Sequence, residues 1–217
     1  MIVGCKKVEN PVLKSVAPEK LEAGWSYHDV AESGFSIAAP ADWTENPNES
    51  MFPGGMVEVE GGGQVPMDKL PPGVQELGKE IEKHDQETEA AFREKLKENG
   101  VSIMLFFKGA RSIPGEERTR FYVRVRPSEG TLAEEATATK AGLHGSETIE
   151  QNHVELPVGP AEAFKASRKT QGGDEVTEII YLMVSGDKTY VTRFVTSNSA
   201  ERITSISNPI MQTFRVK

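Results

Sequence analysis

The chain has 217 residues and one cysteine, and its 25 lysines and arginines against 33 aspartates and glutamates give a formal net charge of −8. This acidic balance argues against nucleic-acid binding and against a polybasic membrane clamp, because both need a broad positive surface. The longest apolar runs, at 103–107 and 179–184, are far shorter than the roughly 20 residues that a membrane-spanning helix needs. The length is enough for one domain with a hydrophobic core.

The single cysteine, Cys5, follows the short apolar run Ile-Val-Gly at 2–4 and precedes two lysines. This arrangement resembles the lipobox of bacterial lipoproteins, in which a signal peptidase cuts before a cysteine whose thiol carries the lipid. A basic segment and an apolar segment of about 7 to 15 residues usually precede such a site, whereas four residues precede Cys5 in this sequence. The resemblance implies a lipid-anchored protein of the bacterial cell envelope, periplasmic or on the outer surface. The alternative is a cytosolic protein.

Residues 1–24 are predicted to be a lipobox remnant followed by a polar tether, because 6–24 hold two prolines and four lysines. Residues 25–217 are predicted to form a single domain, to which the tether would connect the lipid anchor. Two or more acyl chains would be enough for stable attachment to a membrane, since each buried methylene contributes about 0.8 kcal/mol.

The predicted domain opens with two short strands, at 27–30 and 34–38. Pro40 ends the second strand, because proline donates no hydrogen bond to a sheet. A long loop rich in glycine and proline is predicted for 44–73, with at most a small hairpin at 56–59. Loops of this length in compact domains are usually functional or mobile.

Apolar residues recur at steps of three and four between 74 and 99, which predicts a long amphipathic helix ended by Asn99 and Gly100. An apolar strand is predicted at 101–108 and an alternating strand at 119–126. The residues of the alternating strand that we expect to face inward are Phe121, Val123 and Val125. A short helix should then begin at Thr131, which has the capping-box spacing to Glu134.

Four further strands are predicted in an antiparallel meander, at 147–156, 161–170, 176–184 and 189–196. A helix at 200–214, kinked by Pro209, closes the chain. Because the run 179–184 is apolar at every position, we expect helices on both sides of the sheet. The predicted fold class is therefore α+β, an α/β/α sandwich with a central antiparallel sheet.

The order of these elements resembles that of the Mog1/PsbP-like domains. The motifs that carry the resemblance are Phe-Ser-Ile at 35–37, then Pro40 and Trp43, and the closing Thr-Phe-Arg at 213–215. The likeness covers residues 27–216. Bacterial members of this group are commonly small exported or lipid-anchored domains. The resemblance implies a non-catalytic binding or assembly module without a cofactor, and it carries over no functional residue to this chain.

One predicted strand carries a row of cations around a tyrosine. The row occupies every second position of the strand, so all its side chains should lie on one side. Its residues are Arg118, Arg120, Tyr122, Arg124 and Arg126. Such a row could bind an acidic protein or a carboxylated or phosphorylated glycan, since guanidinium groups pair with these anions at two points. The alternative is a structural role, in which an acidic helix covers the strand and pairs with the arginines.

Signals for catalysis or metal binding are weak. Ser36 lies in a run that faintly matches the nucleophile elbow of hydrolases, which needs a strand-to-helix turn, but the surrounding pattern predicts an ordinary strand. His153 and Glu155 match half of a zinc-deaminase signature that also needs two cysteines. The histidines share no metal-site spacing. We therefore expect no catalytic residue and no metal, with a hydrolase using Ser36 or one of the histidines as the least favoured alternative.

Overall fold

The computed structural model describes residues 10, 12–15, 21, 23–45, 56–59, 63–66, 69, 72–73, 76, 87, 90–91, 93–107, 119–170, 173–197 and 200–217. Cys5 and Arg118 lie outside these residues, as do most of the predicted loop at 44–73 and of the predicted helix at 74–99. The chain divides into two compact units, one formed by Met1–Thr44 with Gly100–Lys217 and the other by Glu45–Asn99.

The first unit contains most of the described secondary structure. Its strands are β1 (Trp25–Val30), β2 (Phe35–Pro40), β3 (Trp43–Thr44), β6 (Val101–Phe107), β7 (Arg120–Pro127), β8 (Thr148–Leu156), β9 (Gly159–Lys169), β10 (Glu175–Ser185), β11 (Lys188–Thr196) and β12 (Arg215–Val216). Its helices are α1 (Leu132–Gly142) and α2 (Ala200–Gln212). In the second unit, β4 (Met56–Val59) and β5 (Gly63–Pro66) form an antiparallel hairpin, and residues 93–98 are helical.

Two antiparallel sheets organise the first unit. The larger has seven strands in the order β3-β6-β7-β11-β10-β9-β8, and the smaller has the order β1-β2-β12. The predicted meander is confirmed, because β8 to β11 are consecutive neighbours joined by antiparallel ladders. Glycine at 186 supplies the positive φ of the β10–β11 turn, a conformation that other residues rarely adopt.

The seven-stranded sheet is covered on both faces, as predicted. Ile179, Tyr181 and Met183 of β10 point to a first face, where they pack in one cluster with Ile203 and Ile210 of α2. The alternate residues of β10, among them Ile180 and Leu182, point to a second face and cluster with Ala136 of α1. The fold is therefore an α+β, α/β/α sandwich around an antiparallel sheet. The period-two alternation places successive side chains in separate cores.

Both helices begin where the sequence predicts. Thr131 caps α1 through its side chain, which accepts from the backbone N–H of Glu134, while the carboxylate of Glu134 accepts from the N–H of Thr131. This reciprocal capping box is worth about 1 kcal/mol. Pro209 lies inside α2. No helix in the described part of the chain is long and apolar enough to cross a membrane.

A short part of the predicted tether packs on the domain. Leu13 is 4 % exposed and belongs to the core on the first face. Its backbone N–H donates to Ser185 Oγ at 2.9 Å, and the N–H of Lys14 donates to the carbonyl of Val158 at 2.8 Å. Leu13 and Lys14 therefore contact the turns of the sheet, which the composition of the segment did not predict.

Candidate functional site

The described arginines of the predicted cationic row lie on β7 and face the side of the sheet that carries α1. Arg120, Tyr122, Arg124 and Arg126 are all half-buried, whereas Phe121 and Val123 between them are fully buried on the other face. The alternation is thus confirmed for this strand. We call these four residues the arginine row. In the antiparallel register, Tyr122 lies opposite Arg193 of β11, which adds a fifth cationic or aromatic side chain to the surface.

The end of the arginine row nearest α1 is tied to that helix. Arg126 donates from Nη1 and Nη2 to the two carboxylate oxygens of Glu135, at 3.3 and 2.5 Å. Thr189 Oγ1 and the backbone N–H of Glu129 also donate to Oε1 of Glu135, at 3.1 and 2.8 Å. Arg126 therefore has a structural role, as in the alternative prediction for this row: a helix covers the strand, and its carboxylate pairs with the arginine.

The carboxyl group of Glu135 remains charged despite its burial. Burial raises its pKa, but the hydrogen bonds from Arg126, Glu129 and Thr189 and the charge of Arg126 together outweigh burial, so that its pKa lies below its usual value. Glu135 is only 3 % exposed. The ion pair is consequently a fixed part of the fold between β7 and α1.

Arg124, in the middle of the row, differs from Arg126. Its Nε is buried, and it has no hydrogen-bond partner among the described residues. Buried donors in folded proteins nearly always have a partner, so an unsatisfied one marks a place where a ligand or water could bind. Arg193 on β11 likewise has a buried Nε without a hydrogen-bond partner in the described part of the chain. Its Nη1, however, lies 3.6 Å from Glu178, a carboxylate that Arg168 on β9 also approaches at 3.4 Å.

A groove of about 290 Å³ lies on the opposite face of the sheet, between α2 and the outer strands β8 and β9. Its apolar surface comes from Val154, Ala163, Ile179 and Tyr181. Its polar residues are Glu150, Asn152, Lys165, Thr204, Ser207 and Asn208. Within the described chain, the main contacts of α2 are with β10, β11 and β2, and the groove lies beside them at β8 and β9. This groove was not predicted from the sequence.

Two hydroxyl groups lie at the wall of the groove. Tyr181 Oη and Ser207 Oγ are 3.4 Å apart, a long separation for a hydrogen bond between hydroxyls. Burial raises the pKa of Tyr181, and the contact with Ser207 opposes this shift only in part. Both residues are at least nine-tenths buried. The pair is therefore protonated at neutral pH and retains capacity to bond another polar group.

Strand β8 forms one edge of the seven-stranded sheet, with β9 as its only strand neighbour in the described part of the chain. Six of its nine residues are exposed. His153 bridges two carboxylates there, with Nδ1 3.0 Å from Glu162 and Nε2 3.3 Å from Glu155. Hydrogen bonds to Glu162 and then Glu155 raise the pKa of His153 above its usual value.

The structure does not bring Ser36 together with a described histidine. Ser36 lies in the middle of β2, between Asp29 on β1 and Arg215 on β12. His28 is paired with Ile37 in the register, so alternation directs its side chain to the other face of that sheet. His144 and His153 lie at the end of α1 and on β8. Among the described residues, no group of three or more potential metal ligands is close enough to hold an ion.

Comparison with known proteins gives likeness in fold alone. No family model matches the chain, and no curated protein matches it. A solution structure of cyanobacterial PsbP (CyanoP) from Synechocystis sp. PCC 6803 matches with a TM-score of 0.48 and 10% identity, over 93% of this chain and 98% of that chain.

Two crystal structures give further matches. A protein from Bacteroides thetaiotaomicron VPI-5482 matches with a TM-score of 0.46 and 9% identity, over 91% of this chain and 49% of that one, so this chain spans about half its length. LpqN, involved in cell envelope biogenesis of Mycobacterium tuberculosis, matches with a TM-score of 0.40 and 10% identity, over 53% of this chain and 71% of that chain.

Proposed function

We propose that this protein is a non-catalytic binding or assembly module of the bacterial cell envelope, anchored by lipid on Cys5 and facing away from the cytoplasm. The proposed partner of the arginine row is an acidic protein or an anionic glycan. The observation that carries the binding role is the buried Nε of Arg124 beside Tyr122, for which the described part of the chain supplies no hydrogen-bond partner. An anionic group bound there would satisfy the guanidinium at two points.

Several features support the anchoring part of the proposal. Aliphatic and small residues directly precede the single cysteine, in the arrangement that a lipobox has. Asn10, Leu13 and Lys14 form hydrogen bonds to the domain, and Asn10, the first of them, is only five residues from Cys5. A fully extended segment of five residues spans at most about 18 Å. A lipid on Cys5 would hold the domain close to the membrane surface.

The proposal is tested in cells by fractionation and by capture of partners. The wild-type protein should sediment with membranes after lysis, and a Cys5→Ser variant should be released into the soluble fraction. Cross-linking before solubilisation of the envelope should then join the wild-type domain to a partner through residues near Arg124. Equal distribution of both variants in the cytosol would contradict the anchoring and favour a cytosolic binding protein.

The arginine row is tested separately from the anchor. An Arg124→Gln variant should lose the cross-linked partner while it retains membrane attachment. Lys169→Gln is a matched control, because Lys169 is an exposed cation whose contact with Glu147 is 3.6 Å long and open to solvent. If both variants capture the partner equally, Arg124 does not bind it.

A further inference from the structure

The outer edge of the sheet and the groove beside it form one continuous surface. Strand β8 presents an edge of nine residues, and three of its side chains, Glu150, Asn152 and Val154, line the groove. Alternation explains this arrangement, because these residues share a parity and therefore point to the same face. The wall opposite them is α2, through Thr204 and Asn208.

We propose that this surface binds an extended segment of a partner protein, which adds a strand beside β8 and places one apolar side chain in the groove. The proposal rests on the proposed function, since it names a site and a partner chemistry for a binding module. A sheet edge leaves every second backbone N–H and C=O without a strand partner, and an added strand pairs with these groups.

The dimensions and lining of the groove fit a side chain better than a free small molecule. Its volume of about 290 Å³ lies just below the roughly 300–1,000 Å³ of small-molecule sites. Val154 and Ala163 are half-buried, and Ile179 and Tyr181 are 6 % and 5 % exposed. An aliphatic side chain of an added strand would cover these four groups and remove apolar surface from water.

The charges along β8 indicate which charged residues the partner segment should carry. β8 carries Glu150 and Glu155, both exposed, and contains no lysine or arginine. Glu162 on the neighbouring strand adds a third carboxylate, which His153 bridges to Glu155. Lys165 lies opposite Glu150 in the register, so the three carboxylates outnumber this lysine. A partner strand with a lysine or arginine at its end would therefore pair favourably with this edge, whereas an acidic strand would be repelled. The inferred occupant is an extended, aliphatic segment with basic ends.

The test uses a synthetic probe and the isolated chain. The probe is a heptapeptide with lysine at both ends and alternating threonine and valine between them. Two derivatives carry N-methyl groups, one on the valine amides and the other on the threonine amides. Successive residues of a strand direct their N–H groups to opposite sides, so only one derivative loses the hydrogen bonds to β8. We expect that derivative to bind about tenfold or more weakly than the other.

NMR locates the binding site of the probe, and a variant with a larger side chain in the groove tests whether the groove takes part. Binding of the probe at millimolar concentration should shift the backbone signals of residues 148–156. Ala163→Leu should weaken binding about tenfold by filling the groove, and Ala141→Leu, an exposed alanine of α1, is the matched control. Thermal unfolding of both variants checks that they fold.

Several outcomes would overturn the inference. These are no binding of the probe, equal binding of the two methylated peptides, or shifts that avoid β8. Self-association of the chain through 148–156 would also overturn it, because the edge would then belong to a second copy. The binding-module proposal can survive such a result: if a cross-linked envelope partner is lost with Arg124→Gln and retained with Ala163→Leu, the arginine row binds and the groove does not.

Discussion

Arg126 and Glu135 form a two-point ion pair that joins β7 to α1, with the carboxylate 3 % exposed and the guanidinium about one-third exposed. The pair divides the arginine row into two parts. The Arg126 end is occupied by a helix of the same domain, while the middle of the row, at Arg124, contains a buried nitrogen with no partner among the described residues.

Removal of this carboxylate should destabilise the domain. Glu135→Ala leaves Arg126, Thr189 and the N–H of Glu129 without their shared acceptor, so we expect the free energy of unfolding to fall by about 2–3 kcal/mol. Partial exposure of Arg126 keeps the loss at the lower end of the range for buried pairs. Urea unfolding measures this fall in the free energy of unfolding. Glu147→Ala, in an exposed pair, should change stability by less than about 1 kcal/mol, and a similar loss in both variants would contradict the role of Glu135.

Acid should remove the contribution of Glu135. Its pKa in the folded protein lies below the usual value of about 4.5, so the stabilisation is complete above the pKa of the unfolded chain and disappears as pH falls through the lower, folded value. The stability difference between wild type and Glu135→Gln should therefore be constant near neutral pH and shrink below about pH 4.5. A difference that is unchanged down to about pH 2 would mean that the carboxylate makes no charge-dependent contribution.

The imidazole of His153 should titrate above its usual pKa of about 6.5, because Glu162 and then Glu155 hydrogen-bond to its ring. NMR titration of the ring signals measures this pKa directly. Glu162→Gln should lower it more than Glu155→Gln, since the contact with Glu162 is the shorter one. The small stabilisation from this cluster should be present below the pKa of the unfolded chain and be lost as pH rises through the folded value. Equal pKa values in wild type and both variants would contradict the bridge.

Because Leu13 packs on the domain, this part of the predicted tether should contribute to the stability of the fold. Leu13→Ala should lower stability by about 2 kcal/mol or more, the usual loss for a buried leucine, whereas Val12→Ala should change it little because Val12 is 81 % exposed. Gly159→Ala should also destabilise, because the backbone there has φ of +144° and an added Cβ would lie 3.0 Å from Leu13 Cδ2. Rapid hydrogen exchange at the amides of Leu13 and Lys14 would show that the segment is not packed.

Charge reversal of the arginine row tests its proposed partner. The double variant Arg120→Glu and Arg124→Glu should weaken capture of the envelope partner by a large factor and lower the melting temperature only slightly. Both side chains are half-buried at the surface of β7, so their reversal leaves the apolar cores intact. A large loss of stability without loss of the partner would favour a purely structural role.

Much of the fold could be predicted because its signals are local. The capping box at Thr131 depends on four adjacent residues. The fully apolar run 179–184 indicates directly that both faces of its strand are covered. The packing of Leu13 and Lys14 could not be predicted, since their hydrogen-bond partners, Ser185 and Val158, are far away in sequence. A single leucine in a polar segment gives no periodic signal.

The candidate site was predictable only in part. Parity placed Arg120 to Arg126 on one side of β7, but it could not reveal that Glu135 of α1 would pair with the last of them. The groove was missed because it depends on which strands α2 packs against, and these tertiary contacts leave no local pattern in the sequence. A signal for the edge did exist: 148–156 has polar residues at both parities, which is typical of a strand without a second neighbour.

Mass spectrometry of the protein purified from its native membrane tests the central claim most directly. If the protein is a lipid-anchored module of the envelope, its amino-terminal peptide should begin at Cys5 and carry the added mass of a thioether-linked diacylglycerol. An unmodified Cys5 thiol in a peptide that still contains residues 1–4 would contradict the account.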